Sequence, residues 1–159
     1  MTCLDATAHT PSSVLALGLF DGVHIGHAVL LQRARALANR HAVPLVCDTF
    51  TTHPLAVIAP RMAPPMLATL EERAARMAAL GVDLLCAQPF DKRLMETPPE
   101  DFVGRLVRRW HPRAVVVGYN YSFGKAGAGG PALLMGLGSA LGFEVSVVPE
   151  IRLNGEEVS

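Results

Sequence analysis

Two histidines that follow a glycine-containing loop are the residues best suited to chemistry in this sequence. His24 and His27 come after an apolar run that is compatible with a buried strand and ends at Gly18. Apolar residues at helical spacing follow them, so the loop joins a strand to a helix. Free N–H groups and the dipole at a helix N-terminus favour anions, and glycines let a phosphate approach the backbone. We therefore predict a phosphate site with two histidine donors; the alternative is a pair of surface histidines.

Strand and helix patterns alternate along the rest of the chain. This alternation, with connections long enough for parallel pairing, predicts a three-layer α/β fold with a mainly parallel sheet of about five strands. The predicted strands cover 14–19, 43–50, 82–87, 114–118 and 143–148, and the predicted helices cover 26–41, 69–81, a segment starting at 97, and 131–141. Thr69 and Glu72 have the spacing of a capping box.

Three loops that follow predicted strands carry the remaining candidate residues. Ligands of parallel sheets bind at the carboxyl ends of strands, near a change in strand order. The loops at Phe20–His27, Asp48–Pro54 and Tyr119–Gly130 are therefore expected to share one cleft. Within residues 51–65 four prolines predict that neither helix nor strand persists.

Composition narrows the class of protein. The chain has 159 residues, of which 50% are hydrophobic and 18% charged, and its formal net charge is zero. These values indicate one globular domain and give no electrostatic reason to expect nucleic acid or a membrane surface as a partner. The three isolated cysteines and the absence of an apolar run of ~18 residues indicate a cytoplasmic protein. We expect residues 1–13 to be a loose leader, residues 14–159 to be the domain, and Arg105, Arg108 and Arg109 to form a solvated helix face.

The string His24-Ile25-Gly26-His27 after a strand resembles the signature of the nucleotidylyltransferase superfamily, and four further motifs narrow the resemblance. These are Thr-Phe-x-x-His-Pro at 49–54, Ala-Leu-Gly-Val-Asp at 79–83, Pro-Glu-Asp-Phe-Val at 99–103, and Val-Val-Gly-x-Asn-x-x-Phe-Gly at 116–124. Together they resemble the adenylyltransferase module of prokaryotic bifunctional riboflavin kinase/FMN adenylyltransferase. The resemblance implies a Rossmann-like nucleotidylyltransferase fold.

The resemblance also implies a reaction, in which the phosphate of FMN attacks the α-phosphorus of ATP to give FAD and pyrophosphate. Catalytic roles fall to His24, His27 and Asn120, with His27 on the leaving pyrophosphate. Mg²⁺ is expected to arrive with ATP, and no metal ligand is assigned in the protein. The ATP-binding positions are Gly18, Phe20, Asp21, Gly22, His24, Gly26, His27, Gly118 and Asn120.

The flavin side follows from the same resemblance. Its positions are Asp48, Thr49, Thr52, His53, Pro54, Phe102 and Phe123. Aromatic stacking on the flavin ring is physically reasonable. Three residues keep a structural alternative: Asn120 as a turn residue that tolerates positive φ, Phe102 as a core residue of an amphipathic helix, and His53 as a structural residue.

Two features of the family lie beyond this sequence, a Ser-Thr-x-x-Arg phosphate-binding segment and a riboflavin kinase domain. We therefore expect a chain that binds nucleotide but turns over slowly, and a kinase domain in the full-length parent. Two alternatives stay open. One is another nucleotidylyltransferase with a different phosphate acceptor, such as phosphocholine or a pantetheine phosphate. The other is a non-catalytic fragment that binds flavin nucleotide.

Overall fold

Six strands form the main sheet in a computed structural model of the chain, which describes residues 2–3, 8–21, 25–63, 65–153 and 156–158. The strands are β1 (Thr2–Cys3), β2 (Ser13–Leu17), β3 (Leu45–Phe50), β4 (Leu84–Gln88), β5 (Pro112–Gly118) and β6 (Glu144–Val148). Their order is β1-β4-β3-β2-β5-β6, and the described pairings between them are parallel. Two further strands, β7 (Ile151–Leu153) and β8 (Glu156–Val158), form a separate antiparallel pair.

Helices cover both faces of the sheet and confirm the predicted three-layer α/β architecture. They are α1 (Ile25–His41), α2 (Leu55–Ile58), α3 (Leu70–Ala79), α4 (Lys92–Met95), α5 (Pro99–Trp110) and α6 (Pro131–Leu141), with 3₁₀ turns at Pro60–Met62 and Lys125–Gly127. Alternate strand residues feed two cores, because successive side chains point to opposite faces. Helices α1 and α3 pack on one face, and α5 and α6 pack on the other. None of the helices in the described ranges combines the length and the hydrophobicity that a membrane-spanning helix needs.

The strand order places a switch point beside β2. From β2 the chain builds outward through β3 and β4 on one side, then returns to add β5 and β6 on the other. The loops after β2 and β5 therefore leave the sheet in opposite directions and open a crevice between them. Gly18 directly follows β2 and Gly118 ends β5, so two predicted site residues border this crevice.

Local signals at helix ends are confirmed at α3. Thr69 accepts a hydrogen bond from the Glu72 N–H, and the Glu72 side chain accepts one from the Thr69 N–H, which completes the predicted capping box. Helix α5 begins at Pro99, two residues after the predicted start at 97. Pro98 holds the cap position without a side-chain bond, and the Thr97 hydroxyl donates instead to the Arg93 carbonyl of α4.

Three other expectations need correction. The proline-rich stretch 51–65 contains α2 and a 3₁₀ turn, since two of its prolines stand at positions that a helical turn accepts. Pro54 is the N-cap of α2, and Pro60 begins the 3₁₀ turn. The described part of residues 1–13 is tied to the sheet. β1 pairs with β4, and both Thr10 and Ser13 hydroxyls donate to the Trp110 carbonyl.

Arg109 is half-buried, donates to the Ala8 carbonyl, and lies over the Trp110 ring, so it does not belong to a solvated face.

Candidate functional site

A cleft of about 390 Å³ opens at the carboxyl ends of β2, β3, β5 and β6. It occupies the predicted position at the switch point. Its walls come from all three predicted loops, the first turns of α1 and α5, and the residues that follow β6. The lining residues are Gly18, Leu19, Phe20, Gly26, His27, Leu30, Asp48, Phe50, His53, Pro54, Phe102, Gly118, Tyr119, Asn120, Tyr121, Ser122, Val148 and Pro149.

The loop after β2 brings glycines and a histidine to one end of the cleft. His27 lies in the first turn of α1, with its ring centroid 5.1 Å from that of Phe20 in an edge-to-face contact. Phe20 is buried with φ 55°, and a Cβ added at Gly18 would lie 3.0 Å from its ring. Gly18 thus leaves room for the Phe20 ring that supports His27. Gly22 and His24 lie outside the described residues.

Asp21 is the predicted loop residue that does not line the cleft. Its carboxylate accepts hydrogen bonds from the Leu67 and Ala68 N–H groups at 2.8–3.0 Å. These bonds tie the loop after β2 to the segment that precedes α3. Nearby, the buried Arg73 guanidinium donates to the Phe50 carbonyl at 2.8 Å, and burial lowers its pKa while Asp21 raises it.

Asn120 and Gly118 face the cleft from the loop after β5. The Tyr121 N–H donates to the Gly118 carbonyl at 3.1 Å and closes a turn around Asn120. Asn120 is not among the described residues with positive φ. A need for left-handed backbone is therefore not the reason for asparagine at this position, and its amide is available to the cleft.

The other end of the cleft carries four of the predicted flavin-side residues, Asp48, His53, Pro54 and Phe102. The His53 Nδ1 accepts a hydrogen bond from the Leu55 N–H at 3.1 Å, so this ring also stabilises the first turn of α2. Thr49 and Thr52 do not line the cleft. The Thr49 side chain is buried and its hydroxyl donates to the Leu19 carbonyl at 3.0 Å, which joins β3 to the loop after β2.

Phe123 lies behind the cleft. Its ring stacks on Phe102 with centroids 5.8 Å apart, and on Tyr121 at the same distance. Phe123 and Tyr121 also line a smaller neighbouring cavity of about 120 Å³, together with Phe50 and Phe90. Phe102 borders both spaces, so it is a core residue and a cleft residue at once.

Sequence reasoning missed several lining residues. Tyr121 and Ser122 lie in the loop already selected for Asn120, and Val148 and Pro149 follow β6 at the same sheet edge. The rule that ligands bind after strand ends would have included these four residues. No sequence signal identifies Trp110 and Gln88, which donate to the two oxygens of Asp48 at 2.9 and 3.0 Å.

Burial dominates the electrostatics of the aromatic end. It raises the pKa of the Asp48 carboxyl, against the lowering effect of the Trp110 hydrogen bond, the Arg109 charge and the Gln88 hydrogen bond. Burial, followed by the charge of Asp48, also raises the pKa of the Tyr121 hydroxyl. Tyr121 is therefore a neutral phenol at physiological pH.

Within the described ranges, no group of three or more His, Cys, Asp or Glu residues is arranged to hold a metal ion. The cleft residues near the glycine end are backbone groups, the His27 ring and the Asn120 amide. This set suits an anion, and a metal ion carried by that anion, better than a dedicated metal site.

Comparison with known proteins gives a consistent match. A family model described as FAD synthetase matches residues 6–159. A bifunctional riboflavin kinase/FMN adenylyltransferase from Listeria monocytogenes is 34% identical over 93% of this chain and 47% of its own length. An FAD synthetase from the same organism is 33% identical over 93% of this chain and 60% of its own length. The Escherichia coli bifunctional enzyme is 31% identical over 92% of this chain and 47% of its own length.

The chain therefore spans about half the length of the bifunctional relatives. Among solved structures, one described as a macrolide-efflux protein from Streptococcus pneumoniae superposes with a TM-score of 0.83. The superposition covers 96% of this chain and 51% of that chain at 23% identity. At this identity the likeness shows a shared fold alone.

Proposed function

The chain belongs to the FAD synthetase family, and on that premise we propose that it is an FMN adenylyltransferase that makes FAD and pyrophosphate from FMN and ATP. The observation that carries the proposal is the two-ended cleft. One end has Gly18 after β2, and Gly26 and His27 in the first turn of α1, and this arrangement suits phosphates. The other end has an aromatic wall. A planar flavin and a polyphosphate need these two ends together.

The proposed reaction requires positioning more than an activated side chain. An oxygen of the FMN phosphate forms a bond to the α-phosphorus of ATP, and the bond from that phosphorus to the bridging oxygen breaks. The electron pair leaves with pyrophosphate. Because the substrate supplies its own nucleophile, the protein has to align two polyanions and stabilise the charge that grows on the leaving oxygens.

Cleft residues have distinct roles in this proposal. His27, held against Phe20 in the first turn of α1, donates to the leaving pyrophosphate. The Gly18 and Gly26 backbone admits the triphosphate, and the Asn120 amide orients it from the opposite loop. Gly22 and His24 are proposed for the same triphosphate site from the sequence. Asp21 acts indirectly, by fixing this loop to the Leu67 and Ala68 N–H groups.

On the flavin side, Phe102 and Tyr121 form the wall, with His53 and Pro54 closing the end of the cleft. Phe123 supports Phe102 from behind. Thr49 is proposed to position this loop through its hydroxyl bond to the Leu19 carbonyl. Thr52 is proposed for the flavin side from the sequence. Mg²⁺ enters on ATP in this proposal and screens the repulsion between the phosphates. The reaction is assigned to the cytoplasm, and a riboflavin kinase domain is assigned to the full-length parent because the names of the relatives pair the two activities.

The direct test is incubation of the purified chain with FMN and Mg-ATP, followed by chromatography for FAD. We expect FAD to accumulate with time and with enzyme concentration. Binding of FMN without any FAD would favour a non-catalytic flavin-nucleotide module. Formation of an adenylylated product from a pantetheine phosphate, and not from FMN, would assign a different acceptor.

A further inference from the structure

Asp48 is a buried carboxylate at the aromatic end of the cleft, with the Arg109 charge on its other side. Its exposed fraction is 5%, and its neighbours on the adjoining strands are Leu17 and Cys86, which point to the same face of the sheet. Phe50 and Phe102 stand beside it in the cleft wall. Burial of a carboxylate is costly unless hydrogen bonds satisfy its oxygens, so the position calls for an explanation.

Hydrogen bonds from the protein satisfy only part of the acceptor capacity of the Asp48 carboxylate. The Trp110 Nε1–H donates to Oδ2 at 2.9 Å, and the Gln88 Nε2–H donates to Oδ1 at 3.0 Å. An ionised carboxylate accepts about four hydrogen bonds. In the described part of the chain these two are the side-chain donors to Asp48. The oxygens therefore keep acceptor capacity. The residue borders the cleft and also a second cavity of about 440 Å³ on the side of Gln88 and Arg109.

The wall around Asp48 indicates what kind of donor would use this capacity. Phe50, Phe102 and Tyr121 offer flat apolar surfaces, on which a planar ring stacks favourably. A ring that stacks there brings its edge to the carboxylate. The edge needs an N–H group, because a carbonyl edge would place two acceptors against each other.

We propose that Asp48 determines the specificity of the cleft by accepting a hydrogen bond from a ring N–H of the acceptor substrate. This inference rests on the proposed function, in which that ring is the oxidised flavin. Its only ring N–H is the imide N3–H. The Trp110 and Gln88 bonds hold the carboxylate in place, so its orientation is set before substrate binds. The exocyclic amino group of adenine offers the same chemistry and is the competing source of the donor.

The test compares the affinities of FMN and 3-methyl-FMN, measured by flavin fluorescence. The methylated analogue lacks the imide N–H. We expect the wild-type chain to bind it at least about tenfold more weakly, since a hydrogen bond to a charged group is lost and the carboxylate is left facing a methyl group. In Asp48→Ala the two affinities should become nearly equal. Asp83→Asn is the matched control, because Asp83 bonds to Arg35 and to the Leu45 N–H at the opposite end of the sheet; it should keep the wild-type ratio.

Two further arms keep the test decisive. If circular dichroism shows that Asp48→Ala does not fold, Asp48→Asn replaces it. Asparagine keeps the side-chain volume and a carbonyl for the Trp110 donor. Its ratio of FMN to 3-methyl-FMN affinity should still fall below that of the wild type. Equal binding of both flavins by the wild type, or an unchanged ratio in the Asp48 variants, would overturn the inference. A different result would assign the contact to adenine. In that case the wild type would bind ATP more tightly than N6,N6-dimethyl-ATP, the Asp48 variants would lose this preference, and their ratio of FMN to 3-methyl-FMN affinity would stay unchanged. FMN binding with the expected ratio but without FAD formation would reject the proposed function and leave this inference standing.

Discussion

At the scale of single residues, Asp48 links the stability of the fold to pH. Burial raises its pKa above the ordinary value of 3.8. Between 3.8 and the raised value, the native state binds more protons than the unfolded chain, so the free energy of unfolding falls as pH rises. Asparagine at this position does not titrate. We expect the free energy of unfolding of wild type minus that of Asp48→Asn to decrease through this window, as measured by urea unfolding at a series of pH values.

Asp83 provides the control with the opposite sign. Burial raises its pKa, but the Leu45 N–H and the Arg35 guanidinium outweigh this effect and hold the pKa below 3.8. The difference between wild type and Asp83→Asn should therefore shrink as the pH falls below 3.8. A wild-type minus Asp48→Asn difference that rises with pH would show that Asp48 is stabilised in its ionised form.

His27 carries the second prediction at this scale. Because it is assigned to the leaving pyrophosphate, His27→Ala should slow FAD formation by ~10²–10³ while FMN affinity stays nearly unchanged. Steady-state rates and flavin fluorescence titrations separate the two effects. His41→Ala, at the far end of α1 beside Glu144, should change neither quantity. Equal losses in turnover and FMN affinity would remove His27 from the phosphate end.

At the scale of elements, features with a local cause could be predicted from the sequence. The capping box at Thr69 and Glu72 and the bounds of α6 depend on residues within one turn, and both were predicted correctly. Features that depend on distant partners were missed. β1 exists through pairing with β4, and Phe123 is held behind Phe102 by stacking. The motifs could predict which loops form the cleft, but could not predict which side chains face it.

Helix α6 offers a matched pair of substitutions. Gly136 has no atom within 4 Å of an added Cβ, whereas a Cβ at Gly138 would lie 2.6 Å from the Phe143 carbonyl oxygen. Gly136→Ala should stabilise the fold by ~0.5–1 kcal/mol through helix propensity. Gly138→Ala gains the same propensity but displaces the turn into β6, and should destabilise by ~1–3 kcal/mol. Thermal unfolding measures both; equal shifts of the same sign would contradict the packing seen at Gly138.

At the scale of the whole molecule, the switch point brings together the two ends of the cleft that the proposed reaction needs. β2 and β5 send their loops to opposite sides, so the phosphate end and the aromatic end meet at one sheet edge. In the proposed reaction, the acceptor must bring a phosphate to the glycine end. We expect riboflavin, which has no phosphate, to give no FMN and no adenylylated product with ATP. Chromatography of the reaction checks this, and the appearance of FMN would mean that the cleft also transfers a γ-phosphoryl group.

The central claim is that the cleft transfers the adenylyl group of ATP to FMN, and label transfer tests it most directly. The chain is incubated with FMN and ATP labelled at either the α- or the γ-phosphorus, and the products are separated. We expect α-label in FAD and γ-label in pyrophosphate, with equal amounts of the two products. Label from the γ-position on any flavin, or FAD-free release of inorganic phosphate, would contradict it.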